Sequence, residues 1–192
     1  MPRTAELDLG CPVRPWRQVP MTGANTGLDV VPLESAPGAL TMLARFPAGF
    51  ARLTAGGYEA TEEFLVVHGK LEFEGVTYGR GALTYIPARH LRTRMVAPGG
   101  CTVLAWWGGS AEFLLAERLD EPVDDGITSV VPDAACGGKV LSAGGATWTT
   151  HLTVPGEPLT DGDFVDLALT RWQRAAAPVP LAPPFLHRSA TR

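Results

Sequence analysis

The sequence predicts an all-β fold, a sandwich or a barrel, on three observations. Glycine and proline punctuate the chain about every eight to twelve residues. The runs between them are short and tend to alternate apolar with polar side chains. No segment sustains the 3.6-residue apolar period of a helix, and Phe164–Arg174 is the best candidate for a short one.

The elements follow in order. Residues 1–26 read as a lead-in arm that packs Trp16 against a barrel over 27–120. Its strands are Leu28–Leu33, Leu40–Phe46, Ala51–Thr54, Glu63–His68 and Lys70–Phe73, then Val76–Tyr78, Ala82–Ile86, Leu91–Val96, Thr102–Trp107 and Ala111–Leu115. His68-Gly69-Lys70 has the residues of a tight hairpin, which places His68 at an exposed tip. Glu74-Gly75 marks a second turn. The polar stretch from Asp120 to Gly126 connects to a C-terminal extension over 121–192, with strands at Val140–Ser142 and Thr147–Val154. This extension reads as a degenerate half-repeat, because residues 27–32 and 126–132 are faintly alike. The proline-rich tail from Ala175 reads as extended and partly mobile.

Composition excludes several function classes. A formal net charge of −4 is the wrong sign for a general nucleic-acid binder. No apolar stretch approaches the roughly 20 residues that span a bilayer. The start, Met1-Pro2-Arg3-Thr4, opens no apolar signal core, and three widely spaced cysteines, Cys11, Cys101 and Cys136, form no disulfide framework. The expected location is therefore the cytoplasm. There is no phosphate loop, no Gly-x-Ser-x-Gly elbow and no His-Glu-x2-His helix. Phosphoryl transfer and triad hydrolysis have no residues to stand on. Fourteen arginines against two lysines, with abundant Ala, Gly and Pro, reflect a GC-rich bacterial genome.

Two spaced blocks carry the most information. The first is Gly49-x5-Ala55-x-Gly57-x4-Glu62-x6-Gly69, and the second is Gly81-x5-Pro87-x-Arg89-x2-Arg92. With the phrase Arg45-Phe46-Pro47-Ala48-Gly49, they make residues 27–107 resemble the cupin superfamily, above all the small cupin of the ChrR anti-sigma-factor type. The resemblance implies a cupin-type β-barrel, the double-stranded β-helix or jelly roll, whose metal is held by three histidines and a glutamate. Ala55, Gly57 and Arg92 stand where the imidazoles belong, and of the four ligands only Glu62 remains. Arginine does not deprotonate and repels a metal ion, so the expectation is no metal and no cofactor. A shifted site on Glu59, Glu62 and His90 matches no known ligand set.

The resemblance places Glu62 and Arg92 inward and near one another. Two readings of that pair stand. In one, Arg92 holds an anionic or enolate oxygen while Glu62 moves a proton. In the other, the pair fills the space that the metal left. Tyr58 and His90 join the candidate catalytic group, Tyr58 as donor or acid and His90 as general base; a rim tyrosine and a solvated histidine are the plainer alternatives. Arg94, Tyr85, Trp107 and Phe64 are candidates for the substrate-binding wall. Arg94 and Tyr85 equally suit a rim and a core position. Consecutive strand residues face opposite ways, so one of Trp106 and Trp107 lines the interior and the other an outer or partner face. His151 and His187 have no partner spacing to argue from. Small residues at 55–57 leave room for a ligand.

The expected function is a metal-independent enzyme that isomerises, cyclises or dehydrates a small oxygen-bearing molecule, as in natural-product biosynthesis. The alternative is a non-catalytic small-molecule-binding or regulatory module. A structural cupin with a filled cavity is a third, plainer reading. The partners expected are a small-molecule ligand and a second copy of the chain in a homodimer, with neither nucleic acid nor membrane.

Overall fold

The computed structural model describes residues 5–12, 15–36, 39–124, 126–155, 159, 161–175 and 181–190. Among them every regular element is a strand, apart from one turn of 3-10 helix at Ala116–Arg118. The chain divides into two units: residues 14–129, and residues 1–13 together with 130–192. The arm expected over 1–26 is thus split between them, and the barrel runs past 120.

The chain begins with β1 (Ala5–Asp8). The barrel follows with β2 (Arg17–Val19), β3 (Leu28–Ala36), β4 (Ala39–Phe46), β5 (Phe50–Arg52), β6 (Gly56–Gly57) and β7 (Glu62–Phe73). It continues through β8 (Val76–Gly79), β9 (Leu83–Ile86), β10 (Met95–Ala97), β11 (Cys101–Trp107), β12 (Leu114–Leu115) and β13 (Thr128–Val130). The remaining strands are β14 (Gly138–Ala143), β15 (Ala146–His151), β16 (Gly162–Asp166), β17 (Arg171–Ala175) and β18 (Phe185–Ala190).

In the barrel, the strands run β13-β9-β7-β11-β4-β3-β2, all antiparallel where their registers are resolved. The jelly roll is joined by β7. Its first residues pair with β9 and β11, and its last pair with β8 and β10. The hairpin expected at His68-Gly69-Lys70 is therefore absent: one strand passes through it. Gly69 has φ +75°, and a Cβ there would meet the Gly100 carbonyl oxygen at 2.3 Å. Only glycine tolerates both conditions, and the register shifts nearby at Thr102/Val103. The glycine marks a bend where the sequence suggested a reversal. His68 is exposed even so. The turn at Glu74-Gly75 is present and makes the true hairpin, β7 to β8.

Alternation along these strands builds the core. Val30, Ala44, Phe46, Phe64, Val66 and Val103 face inward, and Phe46 and Phe50 meet edge to face with centroids 4.9 Å apart. Trp16 receives the Arg45 guanidinium over its ring at 4.4 Å, with Arg45 also paired to Asp29 at 2.8 Å. This is the contact by which the arm's tryptophan meets the barrel.

The other unit is a six-stranded sheet ordered β1-β17-β16-β18-β15-β14. The helix expected at Phe164–Arg174 is instead the hairpin β16–β17, turned by Asp166, whose carboxylate accepts from the Thr170 and Arg171 amides. Of the tail from Ala175, residues 176–180 and 191–192 lie outside the described residues. Phe185–Ala190 forms an interior strand between β16 and β15, so this part of the expected tail is ordered sheet. The sheet also joins two histidines that the spacing left unconnected. His187 stacks on Phe164 at 4.5 Å, His151 stacks on Phe185 at 5.1 Å, and the two imidazoles lie 5.9 Å apart.

Candidate functional site

A cavity of about 280 Å³ opens inside the barrel. Its polar wall carries Tyr58, Glu62, Arg92 and Glu112, and Val30, Met42, Met95, Trp107 and Phe113 supply much of the apolar wall. Met21, Met42 and Met95 give that wall three unbranched, adaptable side chains.

Each polar group is fixed by local structure. Glu62 is the first residue of β7 and lies opposite Trp107 of β11, so strand alternation turns both to the interior. Arg92 lies outside any regular strand. Two backbone hydrogen bonds to Gly56, of 2.7 and 3.0 Å, hold it in place. Its Nη1 donates to Glu62 Oε2 in a buried ion pair. The same guanidinium stands 4.4 Å from the Tyr58 ring centroid and 5.6 Å from that of Phe73. Tyr58 is wedged edge to face against Trp107 and Phe113, at 5.8 and 5.4 Å. Glu62, Arg92, Tyr58 and Trp107 thus come together on one cavity.

The other candidates do not join them. His90 is buried but does not line the cavity: its ring is 6.1 Å from Phe73 and interacts electrostatically with Glu74. Arg94 is exposed and pairs with Glu72 at 3.2 Å, so it does not widen a cationic pocket. The expected strand from Leu91 begins only at Met95, so the two-residue alternation fails for His90, Arg92 and Arg94. Tyr85 lies in register with Glu63, on the face opposite Glu62. Burial, and then the Glu63 charge, pushes its hydroxyl above the ordinary tyrosine range. Phe64 faces inward but fills the core against Tyr78 at 5.6 Å, without reaching the cavity. Trp106 points the other way and is 2% exposed, which removes it as an outward anchor.

The space expected at 55–57 is also taken. A Cβ on Gly56 would stand 2.1 Å from the Leu114 carbonyl oxygen, and one on Gly57 would stand 2.6 Å from that of His90. These glycines admit backbone rather than ligand, through the β6–β12 pairing.

One buried charged side chain beside the site escaped the sequence reading. Arg52, at the end of β5, is 1% exposed and donates to the Tyr58 hydroxyl at 3.3 Å. It lies over the Phe113 ring at 4.1 Å and touches Met95 Sδ at 4.0 Å. Burial pulls its guanidinium below the ordinary value; Tyr58 and Glu62 oppose that shift, and Arg92 adds to it. A signal was available, since Arg52 alternates with the core residue Phe50 and so faces inward with it.

The residues present do not fit a metal ion. Ala55 and Gly57 bring no donor atom, and the carboxylate of Glu62 already holds the Arg92 guanidinium. Glu59 is exposed and His90 is turned away, so the shifted set does not converge on the cavity. Among the described residues no group of three or more His, Cys, Asp or Glu is placed to hold a metal. No helix among them is long and apolar enough to cross a membrane.

No protein-family model matches the chain, and no curated protein matches it. Among solved structures it is similar to a proposed dioxygenase from Nostoc punctiforme PCC 73102, with 13% identity, 98% of this chain and 83% of that one covered, and a TM-score of 0.65. An RmlC-like cupin protein from Ralstonia eutropha JMP134 matches at 14% identity over 60% of this chain and 73% of that one, TM-score 0.42. Rhodobacter sphaeroides SigE in complex with the anti-sigma ChrR matches at 23% identity over 49% of each chain, TM-score 0.41. At such identities the likeness concerns the fold and leaves the chemistry to the residues.

Proposed function

We propose that this protein, which has the cupin fold, is a metal-independent enzyme that moves a proton on a small, largely apolar, oxygen-bearing molecule. The observation that carries the reading is the buried Glu62–Arg92 pair facing an apolar cavity beside Tyr58. In this reading the Glu62 carboxylate takes a proton from a carbon next to a carbonyl. Arg92 then holds the oxygen on which charge develops, its donors fixed before the reaction begins. Returning the proton to another carbon isomerises the molecule. Giving it to a departing hydroxyl dehydrates it, and attack of the enolate carbon on a second carbonyl closes a ring. Tyr58, wedged between Trp107 and Phe113, serves as the donor to the oxygen or the leaving group.

A second reading has its own support. A carboxylate already engaged by a guanidinium can shape a pocket without moving protons, which suits a non-catalytic binding or regulatory module. Solvent exchange separates the two. The chelator-treated protein is incubated in D2O with a panel of small enolisable ketones and unsaturated oxo-compounds, and deuterium uptake is followed by NMR. At least one compound is expected to exchange or rearrange, and Glu62→Gln to slow it by about 10²–10⁴-fold while binding persists. Saturable binding with no exchange across the panel gives the binding module instead, and activity restored only by added metal overturns metal independence.

A further inference from the structure

We infer that the molecule this cavity takes is an anion, whose carboxylate or enolate oxygen meets Arg92 on the cavity wall and balances the surplus charge of a buried group of two guanidiniums and one carboxylate, with Arg52 standing behind Tyr58 and Phe113. The inference rests on the cavity of the preceding section but needs no turnover. Arg52 and Arg92 are each 1% exposed, and Glu62 is 6% exposed. Glu62 is paired with Arg92. Among the described residues no carboxylate comes within ion-pairing distance of Arg52. Its contacts are a phenol oxygen, a thioether and two aromatic faces. Aromatic faces attract a cation but do not neutralise it. A guanidinium keeps its proton, so the cluster carries one net positive charge away from water. Charges so placed are retained where something neutralises them.

The unused hydrogen-bonding capacity has the same sense. Arg92 Nε and Trp107 Nε1 are buried without a hydrogen-bond partner, and both side chains line the cavity. Both atoms are donors only. Arg52 can only donate to the Tyr58 oxygen, which leaves the Tyr58 proton to point elsewhere. The wall therefore offers N–H and O–H groups to an acceptor. Glu112 is the one opposing charge besides Glu62, and it is exposed, where solvent screens it. With methionine, valine and tryptophan around the rest of the wall, the class that fits is a small acid or stabilised enolate with an apolar body.

Benzoate and benzamide, of one size and differing by a charge, test this by calorimetric titration against the wild-type chain. Benzoate is expected to bind at least about tenfold tighter, the ratio that one charge-assisted contact supplies. Arg52→Met, which keeps bulk and removes charge, is expected to erase that preference, the affinities for the two probes converging. Glu62→Gln, which removes the negative charge, is expected to keep or tighten benzoate binding even as it slows proton exchange. Failure of the enzymatic reading and failure of this one are thus separate results. Equal affinity for the two probes, no benzoate binding at millimolar concentration, or a preference that survives in Arg52→Met overturns the inference. If Arg52→Met does not fold, the wild-type comparison decides, with Trp107→Phe expected to weaken benzoate several-fold by removing one of the unused donors.

Discussion

Arg92 is held by more than its partner carboxylate: the backbone of Gly56 fixes its main chain, and the faces of Tyr58 and Phe73 flank its guanidinium. A planar fork can meet Glu62, lie against an aromatic face and still leave Nε toward the cavity, whereas an ammonium is a single point charge. Arg92→Lys is therefore expected to fold and to lower turnover by about 10²–10³-fold, the usual loss for one oxyanion donor. Unchanged turnover with a lowered melting temperature would assign the pair to the scaffold alone. At this scale the sequence was legible where an element is regular. Glu62 and Trp107 belong to strands, and their inward parity follows from counting by two. His90 and Arg94 lie in an irregular segment pinned by bridges and by the Glu74 carboxylate, which accepts from the Thr93 and Arg94 amides, so counting had no period to follow. Tyr85 failed for a different reason: its strand is regular, and its parity is that of Glu63.

Among the elements, glycines decide how the short pieces near the site are threaded. Gly56 and Gly57 form a two-residue strand that lies against β12 and the Arg92 segment, and neither position has room for a side chain. Gly56→Ala should force apart the Gly56–Leu114 approach that also positions Arg92. Overpacking of this kind costs about 1–3 kcal/mol, several degrees in Tm for a chain of this length. Gly79→Ala, where a Cβ meets nothing within 4 Å, is the matched control and is expected to leave Tm unchanged. A Gly56→Ala protein as stable as the control would show that β6 and β12 do not pack as described. The same chemistry explains the misread elements. Gly69 between two alternating runs is compatible with a hairpin or with a bent strand, and only the pairing of β7 with four neighbours separates them. In β16–β17, apolar residues spaced by hairpin geometry imitated a short helical stripe, because Asp166-Leu167-Ala168-Leu169-Thr170 carries neither glycine nor proline to announce its turn.

For the whole molecule, the all-β class was legible because punctuation and alternation recur along the chain, and the division at residues 13 and 130 was not, because it depends on Ala5–Asp8 pairing with β17 more than 160 residues away. The sheet paths end on β13 and β2 in the barrel and on β1 and β14 in the other sheet, and β14 is the longest of these four edge strands. Arg17–Val19 is only three residues, all exposed, which is too short to recruit a partner well. Gly138–Ala143 is six residues long, carries a single charge, Lys139, and turns mostly half-buried or exposed side chains outward. Neither Trp106 nor Trp107 offers the exposed ring that the sequence suggested for an interface beside the N-terminal arm, so a sheet edge is the proposed route to the expected homodimer. Antiparallel pairing of β14 with its copy across a two-fold axis would satisfy both edges at once. Light scattering at micromolar concentration is expected to give twice the 20.4 kDa chain mass. Replacing Val140 in the middle of that edge with proline, which cannot donate to the ladder, is expected to return the mass to that of one chain without unfolding it. A wild-type protein found only at the single-chain mass removes the homodimer, and a dimer indifferent to Val140→Pro moves the interface away from β14.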